Sequence, residues 1–148
     1  MEDRNQKIAI GSDHAGYPLK IKIKEFLLGK GYEVEDYGTH SEESTDYPDY
    51  VHPLASDIEK RVFPKGIVIC GSGNGVNMTV NKHQGIRSAL CWNVEITRLA
   101  RRHNDANILA LAGRFTGEKE AIEMVEVFLN TSFEGGRHQR RLDKIPCP

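Results

Sequence analysis

Apolar positions along the chain fall into two alternating rhythms. Short β-branched runs predict strands, and between them apolar residues recur every three to four positions, which predicts helices. Lys7-Ile8-Ala9-Ile10-Gly11 reads as a buried strand. Pro18 suits the first turn of the helix that follows, with Leu19, Ile23, Phe26 and Leu27 on one face and Gly31 as its C-terminal stop. Glu33-Val34-Glu35-Asp36-Tyr37 reads as a weaker strand and residues 38–49 as a polar loop. Val51, Leu54, Ala55, Ile58 and Val62 mark a second helix. Gly66-Ile67-Val68-Ile69-Cys70 is an apolar strand leading into a glycine-rich loop and a third helix from about Gly75 to Lys82. Ile86–Cys91 predicts a fourth strand, and Ile96, Leu99, Ala100 and His103 one face of a fourth helix. Ile108–Ala112 predicts a fifth strand and Ala121, Val125, Phe128 and Leu129 a fifth helix.

Strict strand–helix alternation implies a parallel sheet with helices on both faces. Ligands bind such sheets outside the carboxyl ends of the strands. The residues to inspect are therefore Ser12-Asp13-His14, Gly71 to Gly75, Trp92-Asn93 and Gly113-Arg114.

Length and composition narrow the classes. A chain of 148 residues, 39% hydrophobic and 28% charged, fits one folded domain over residues 1–148. A net charge of −1 from 20 basic and 21 acidic side chains argues against a globally basic nucleic-acid binder. No apolar run reaches membrane-spanning length, so no membrane partner is expected. The N-terminus, Met1-Glu2-Asp3-Arg4-Asn5-Gln6, is charged and lacks a signal-peptide stretch. Cys70, Cys91 and Cys147 are odd in number and form no CxxC pair. They suggest neither a disulfide framework nor a zinc ribbon, and a reducing cytoplasm is the expected compartment.

The candidate chemistry sits at the strand ends. Gly71-Ser72-Gly73-Asn74-Gly75 turns sharply into a helix, and its N–H groups either cradle an anion or simply form a turn. It is neither GxGxxG nor a P-loop. Cys70 directly precedes it, where a helix N-terminus favours a thiolate; the alternative is a small buried hydrophobe. Asp13-His14 can polarise a hydroxyl or meet a phosphate, or Asp13 can cap a helix. His40, His52 and His83 lack metal-ligand spacing and read as structural or exposed. His103-Asn104-Asp105 precedes strand five, at the opposite end of the sheet from Cys70. A five-residue strand spans roughly 16–17 Å, so His103 is either structural or donated to a neighbouring subunit. Arg137 and Arg141, if helical, present two guanidinium groups on one face of a basic tail, suited to a phosphate dianion. No aromatic interleaving supports a nucleic-acid role for that tail.

Taken together, Gly11–Gly16, Thr45–Pro48, Cys70–Gly75, Asn81-Lys82, Gly85–Arg87, Arg102–Asn107 and Glu134–His138 resemble, in order and over nearly the whole chain, the type B ribose-5-phosphate isomerase family. That family includes isomerases of allose and galactose phosphates. The resemblance implies a Rossmann-like α/β/α sandwich with a five-stranded parallel sheet, a homodimer (or tetramer) and no metal or organic cofactor. It also implies that the basic tail helix within residues 134–148 packs on or reaches a partner subunit. It implies interconversion of ribose 5-phosphate and ribulose 5-phosphate in the pentose phosphate pathway. Cys70 matches the catalytic base and His103 the ring-opening acid/base. Asp13, His14, Gly71, Ser72, Gly73, Asn74, Gly75 and Asn104 match substrate contacts, and Arg114, Arg137 and Arg141 match phosphate ligands. One branch of the family replaces the cysteine with a glutamate just after the glycine loop. That position is Val76 here, so the cysteine mechanism is the consistent one. The rival readings are a six-carbon aldose-phosphate isomerase, a non-catalytic phosphosugar receptor and, more remotely, a thiol redox protein.

Overall fold

The computed structural model describes residues 6–148; Met1–Asn5, most of the charged N-terminal segment read above, lie outside them. Five strands, β1 (Lys7–Ser12), β2 (Glu33–Asp36), β3 (Lys65–Cys70), β4 (Ser88–Leu90) and β5 (Ile108–Ala112), form one parallel sheet in the order β2-β1-β3-β5-β4. Helices α1 (Tyr17–Gly29), α2 (Tyr47–Glu59), α3 (Asn74–Val80), α4 (Val94–Asn104) and α5 (Glu118–Asn130) connect the strands or follow the last, and α6 (Arg137–Leu142) ends the chain. This is the expected three-layer architecture.

The two-residue period of the strands builds the layers. Ile8, Ile10, Ile67, Ile69, Leu109 and Leu111 point to one face and meet Leu19, Ile23 and Leu27 of α1, Ala100 of α4 and Met124, Val125 and Phe128 of α5. Ala9, Val68, Cys70, Ile108 and Ala110 point to the other and meet Val51, Leu54, Ala55 and Ile58 of α2 and Val76 and Val80 of α3. Small side chains line this second face, so α2 and α3 sit close. The Cys70 thiol belongs to it.

Four local expectations are corrected. Residues 38–49 are not all loop: α2 starts at Tyr47, with Asp46 at the N-cap position and proline in the first turn. That helix stops at Glu59 rather than running to Val62. Arg61 turns the chain at φ +62°, and Val62 is left 54% exposed. The fourth strand shortens to Ser88–Leu90 because Asn81, just past α3, accepts from the Ser88 N–H (2.8 Å) and donates to the Ser88 carbonyl (3.0 Å). The face of α4 is also rotated: Thr97, Ala100 and Arg101 are buried, while Ile96, Leu99 and His103 are only half-buried.

Order β2-β1-β3 fixes the ligand crevice. The chain leaves β1 towards one sheet edge and returns through β3 on the other side, so the carboxyl ends of β1 and β3 adjoin at a topological switch point.

Candidate active site

The switch point is closed by main-chain bonds. The Asp13 N–H donates to the Ile69 carbonyl (3.3 Å), the Gly113 N–H to the Cys70 carbonyl (2.8 Å) and the Arg114 N–H to the Gly71 carbonyl (3.0 Å). Three loops, after β1, β3 and β5, are thereby held together. Asp13, His14, Cys70, Gly71 to Gly75 and Arg114 share this end of the sheet.

Each side chain has a local cause for its place. Asp13 is 6% exposed, and its Oδ1 accepts from the Gly16 N–H (3.0 Å), so it does close the turn into α1. Its Oδ2 makes no hydrogen bond among the described residues. His14 accepts at Nδ1 from the Thr45 N–H (3.1 Å), which leaves Nε2 to carry the proton of the neutral ring. Cys70 is a free thiol, 5% exposed, at the end of β3. Gly73 adopts φ +78°, and a Cβ there would meet Leu90 Cδ1 at 2.5 Å, so conformation and space both require glycine. A Cβ on Gly75 would enter the Tyr47 ring, which packs against the start of α3. The Asn74 N–H donates to Ser72 Oγ (3.2 Å), stiffening the turn. Arg114 is exposed and makes no ion pair among the described residues, although its Cδ passes Gly71.

Two hydroxyls at this end, Ser12 Oγ and Thr45 Oγ1, are buried without a partner. Buried polar atoms normally find one, and these two are left available to a polar ligand. Sequence reading assigned no role to Thr45 or Tyr47. Their signal was Thr45–Pro48 itself, an Asx-Pro helix start that brings the 38–49 segment back over β1 and β3.

The remaining expected residues lie elsewhere. His103 and Asn104 end α4, at the amino end of β5. The length of that strand, roughly 16–17 Å, separates them from Cys70. Arg137 and Arg141 are on α6, which packs on α4 through buried His138 and Leu142. Both arginines are exposed with no ion pair among the described residues. The His103 and His138 rings stack at 4.5 Å between centroids. Glu134 Oε2 lies 3.9 Å from His103 Nε2 and 3.4 Å from His138 Nε2. One chain therefore carries two separate clusters: an acid–histidine–thiol crevice at the carboxyl end of the sheet, and a histidine–arginine group at the amino end.

Cys91, His52 and His83 have structural surroundings. Burial pushes the Cys91 thiol up, away from reactivity. His52 Nδ1 meets His83 Nε2 (2.8 Å), and His83 Nδ1 meets Glu59 Oε1 (2.8 Å), tying α2 to the loop after α3. No helix among the described residues is long and apolar enough to cross a membrane.

Residues 8–145 match the family model described as Ribose/Galactose Isomerase. Ribose-5-phosphate isomerase B of Escherichia coli K12 is 42% identical over 140 residues, covering 95% of this chain and 94% of its own. The crystal structure of a ribose 5-phosphate isomerase from Thermotoga maritima superposes with a TM-score of 0.94 at 52% identity, over 95% of this chain and 97% of that one. Ribose-5-phosphate isomerase B from Mycoplasma genitalium, solved with bound ribulose-5-phosphate, superposes with a TM-score of 0.91 at 42% identity, covering 98% and 95%. Matched from β1 to past α6 in sequence and in fold, this chain belongs to the ribose/galactose isomerase family.

Proposed function

We propose that this chain is an aldose–ketose isomerase interconverting D-ribose 5-phosphate and D-ribulose 5-phosphate, the non-oxidative pentose phosphate step. The observation that carries the reading is Cys70: a free thiol ending central strand β3, followed at once by a turn of backbone N–H groups. Isomerisation moves a proton between C2 and C1 through an enediolate, and a second proton between O2 and O1. It needs a base, donors for the developing oxyanion and a phosphate anchor.

The Cys70 thiolate takes the C2 proton and returns it at C1. N–H groups of Gly71 to Gly75 stabilise the enediolate oxygens, and Ser72 orients the thiolate or a substrate oxygen. The Asp13 carboxylate holds a sugar hydroxyl, and the His14 Nε2–H meets a substrate oxygen. His103 opens the furanose by giving a proton to the ring oxygen, while the Asp13 carboxylate receives the proton of the anomeric hydroxyl. Asn104 supports the sugar beside it. Arg114, Arg137 and Arg141 take the phosphate, for which exposed, unpaired guanidinium groups are suited.

The active unit is a homodimer in which the carboxyl-end crevice of one chain receives His103, Asn104, Arg137 and Arg141 from α4 and α6 of its partner. The separation of the two clusters supports this. So do the large exposed apolar side chains Met78 of α3 (66%), Trp92 after β4 (64%) and Phe115 after β5 (82%), and the half-buried Ile96 and Leu99 of α4. These are surfaces a second chain can cover.

The test is a side-by-side comparison of kcat/KM on ribose 5-phosphate, allose 6-phosphate and galactose 6-phosphate. The five-carbon substrate is expected to be fastest. A higher value on either hexose phosphate reassigns the pocket, and binding without turnover of any of the three reduces the chain to a receptor.

A further inference from the structure

Among the described residues, one group gathers three metal-ligating atoms: His103, Glu134 and His138, whose ligand atoms all lie within 4.8 Å of one another. Its anchor is His138. That side chain is only 9% exposed, and its Nε2 is buried without a hydrogen-bond partner. Glu134 Oε2 approaches it to 3.4 Å without hydrogen-bond geometry. A buried imidazole nitrogen left unpaired costs free energy that a ligand would recover. The same Oε2 is 3.9 Å from His103 Nε2, so one carboxylate oxygen faces both rings.

The chain builds this group deliberately. Gly135 and Gly136 both take positive φ, +71° and +59°, and fold Glu134 back over α6, four residues before His138. The Glu134 N–H donates to the Arg102 carbonyl (3.0 Å), pinning the turn to the end of α4 beside His103. In a tetrahedral site with metal–ligand bonds of 2.0–2.1 Å, ligand atoms sit about 3.4 Å apart. His138 and Glu134 already have that spacing. The His103 ring, 39% exposed, lies stacked on His138 at 16°, and a metal would draw it out of that stack to close the third edge. Two imidazoles and one carboxylate are a zinc-class donor set with a coordination position left for water. The Arg102 guanidinium, 3.9 Å from Glu134 Oε1, weakens but does not block binding of a dication.

We propose that His103 Nε2, His138 Nε2 and Glu134 Oε2 bind a divalent transition ion of the zinc class, and that this ion reversibly inhibits the isomerase. The inhibition rests on the role given to His103 under the proposed function, because a metal occupies the lone pair that moves the ring-opening proton. The binding site stands on the geometry alone.

Zinc chloride is titrated calorimetrically into the full-length protein, in phosphate-free buffer, for wild type, Glu134→Gln and His138→Ala. Glu134 is 46% exposed, so its variant folds even where the His138 change does not. Wild type is expected to take one ion per chain, and each variant to lose more than the roughly 10–100-fold that follows loss of an outer-shell partner. Isomerase activity of wild type is expected to fall with zinc and return with a chelator. No binding by wild type, or equal binding by Glu134→Gln (which puts the ion on cysteine thiols), overturns the site. Stoichiometric, Glu134-dependent binding with no loss of activity overturns the inhibition. Full activity of His103→Ala with zinc binding to wild type intact leaves the site standing and refutes the catalytic role of His103 instead.

Discussion

Exchanging Asp36 for asparagine strips the carboxylate from a lysine that has no contact with water. Lys20 Nζ is fully buried and reaches Asp36 Oδ1 and the Thr39 carbonyl, each at 2.6 Å. Asp36 is shared more widely: Oδ2 also binds Lys24 Nζ (3.1 Å), and Oδ1 accepts from the Gly38 N–H (2.9 Å). The two ends of the pair are therefore unequal. Asp36→Asn leaves a buried ammonium with neutral acceptors only, which costs about 3–5 kcal/mol. Lys20→Met leaves a carboxylate that keeps a second lysine and an N–H. It also removes a cation whose pKa is lowered because burial outweighs its attraction to Asp36, so the cost stays below about 2 kcal/mol. A chain of 148 residues has an unfolding entropy near 0.3 kcal/mol/K, from about 2.1 cal/mol/K per residue. The expected falls in Tm are then about 10–16 °C for Asp36→Asn and about 6 °C or less for Lys20→Met. Thermal unfolding followed by circular dichroism at neutral pH measures both. Burial alone would raise the Asp36 carboxyl, but the bonds from Lys20, Gly38 and Lys24 together hold it below the usual range. Its contribution is thus present above the ordinary carboxylate pKa of about 3.9 and fades as pH falls through the lower folded value. The gap between wild type and Asp36→Asn should narrow only below about pH 4. Equal losses for the two variants, or a larger loss for Lys20→Met, would refute the asymmetry. The pair also fixes the chain next to the crevice: one residue before Asp13, the Ser12 N–H donates to the Gly38 carbonyl and the Ser12 carbonyl accepts from the Thr39 N–H (2.7 Å each).

Gly16→Ala places a Cβ 2.5 Å from the Ile69 carbonyl oxygen, a backbone atom that cannot step aside, and should cost about 1–3 kcal/mol or more. Gly29→Ala, with nothing within 4 Å, should instead stabilise by roughly 0.4–1 kcal/mol in urea unfolding. Burial and the nearby Arg101 push Lys65 down to about 8, with Asp105 pulling the other way. The unfolded chain then binds more protons between about pH 8 and the ordinary lysine value of about 10.4, so stability should rise with pH over that window. Lys65→Met should make the rise shallower, leaving the part that comes from Lys20, whose pKa burial also lowers, checked by denaturant unfolding at the two ends. Mixing Cys70→Ala and His103→Ala proteins under subunit exchange should restore about a quarter of wild-type activity, since half the dimers are mixed and each holds one intact site. No recovery from demonstrated heterodimers would put both residues in one chain's site.

The sheet was legible because β1, β3 and β5 are β-branched or alanine-rich apolar runs, and the longer helices between them carry stripes at helical spacing. Strand alternation with helices then leaves little topological choice, which is why Cys70 and Asp13 were expected at one end and His103 at the other. The α4 stripe misled: Ile96, Leu99 and His103 form an apolar face that this chain leaves half-buried, while Arg101 is buried through its bonds to the Thr131 and Ala106 carbonyls and Asp105. Hydrophobicity cannot forecast a buried arginine whose partners are carbonyls. Likewise, nothing in the spacing of His14 and Thr45, 31 residues apart, announces the bond that sets the histidine's tautomer. The Arg137–Arg141 pair was legible as a helix face, but its position beside His103 rather than Cys70 depends on the glycine turn at 135–136 and the packing of α6 on α4.

The account turns on sulfur chemistry at the end of β3. The direct measurement is exchange of the substrate's C2 proton with deuterated water, followed by NMR, for wild type and Cys70→Ala at saturating ribose 5-phosphate. With binding intact, the variant should exchange on the order of 10²–10⁴-fold more slowly. Exchange at the wild-type rate would contradict the account and assign the base to another group.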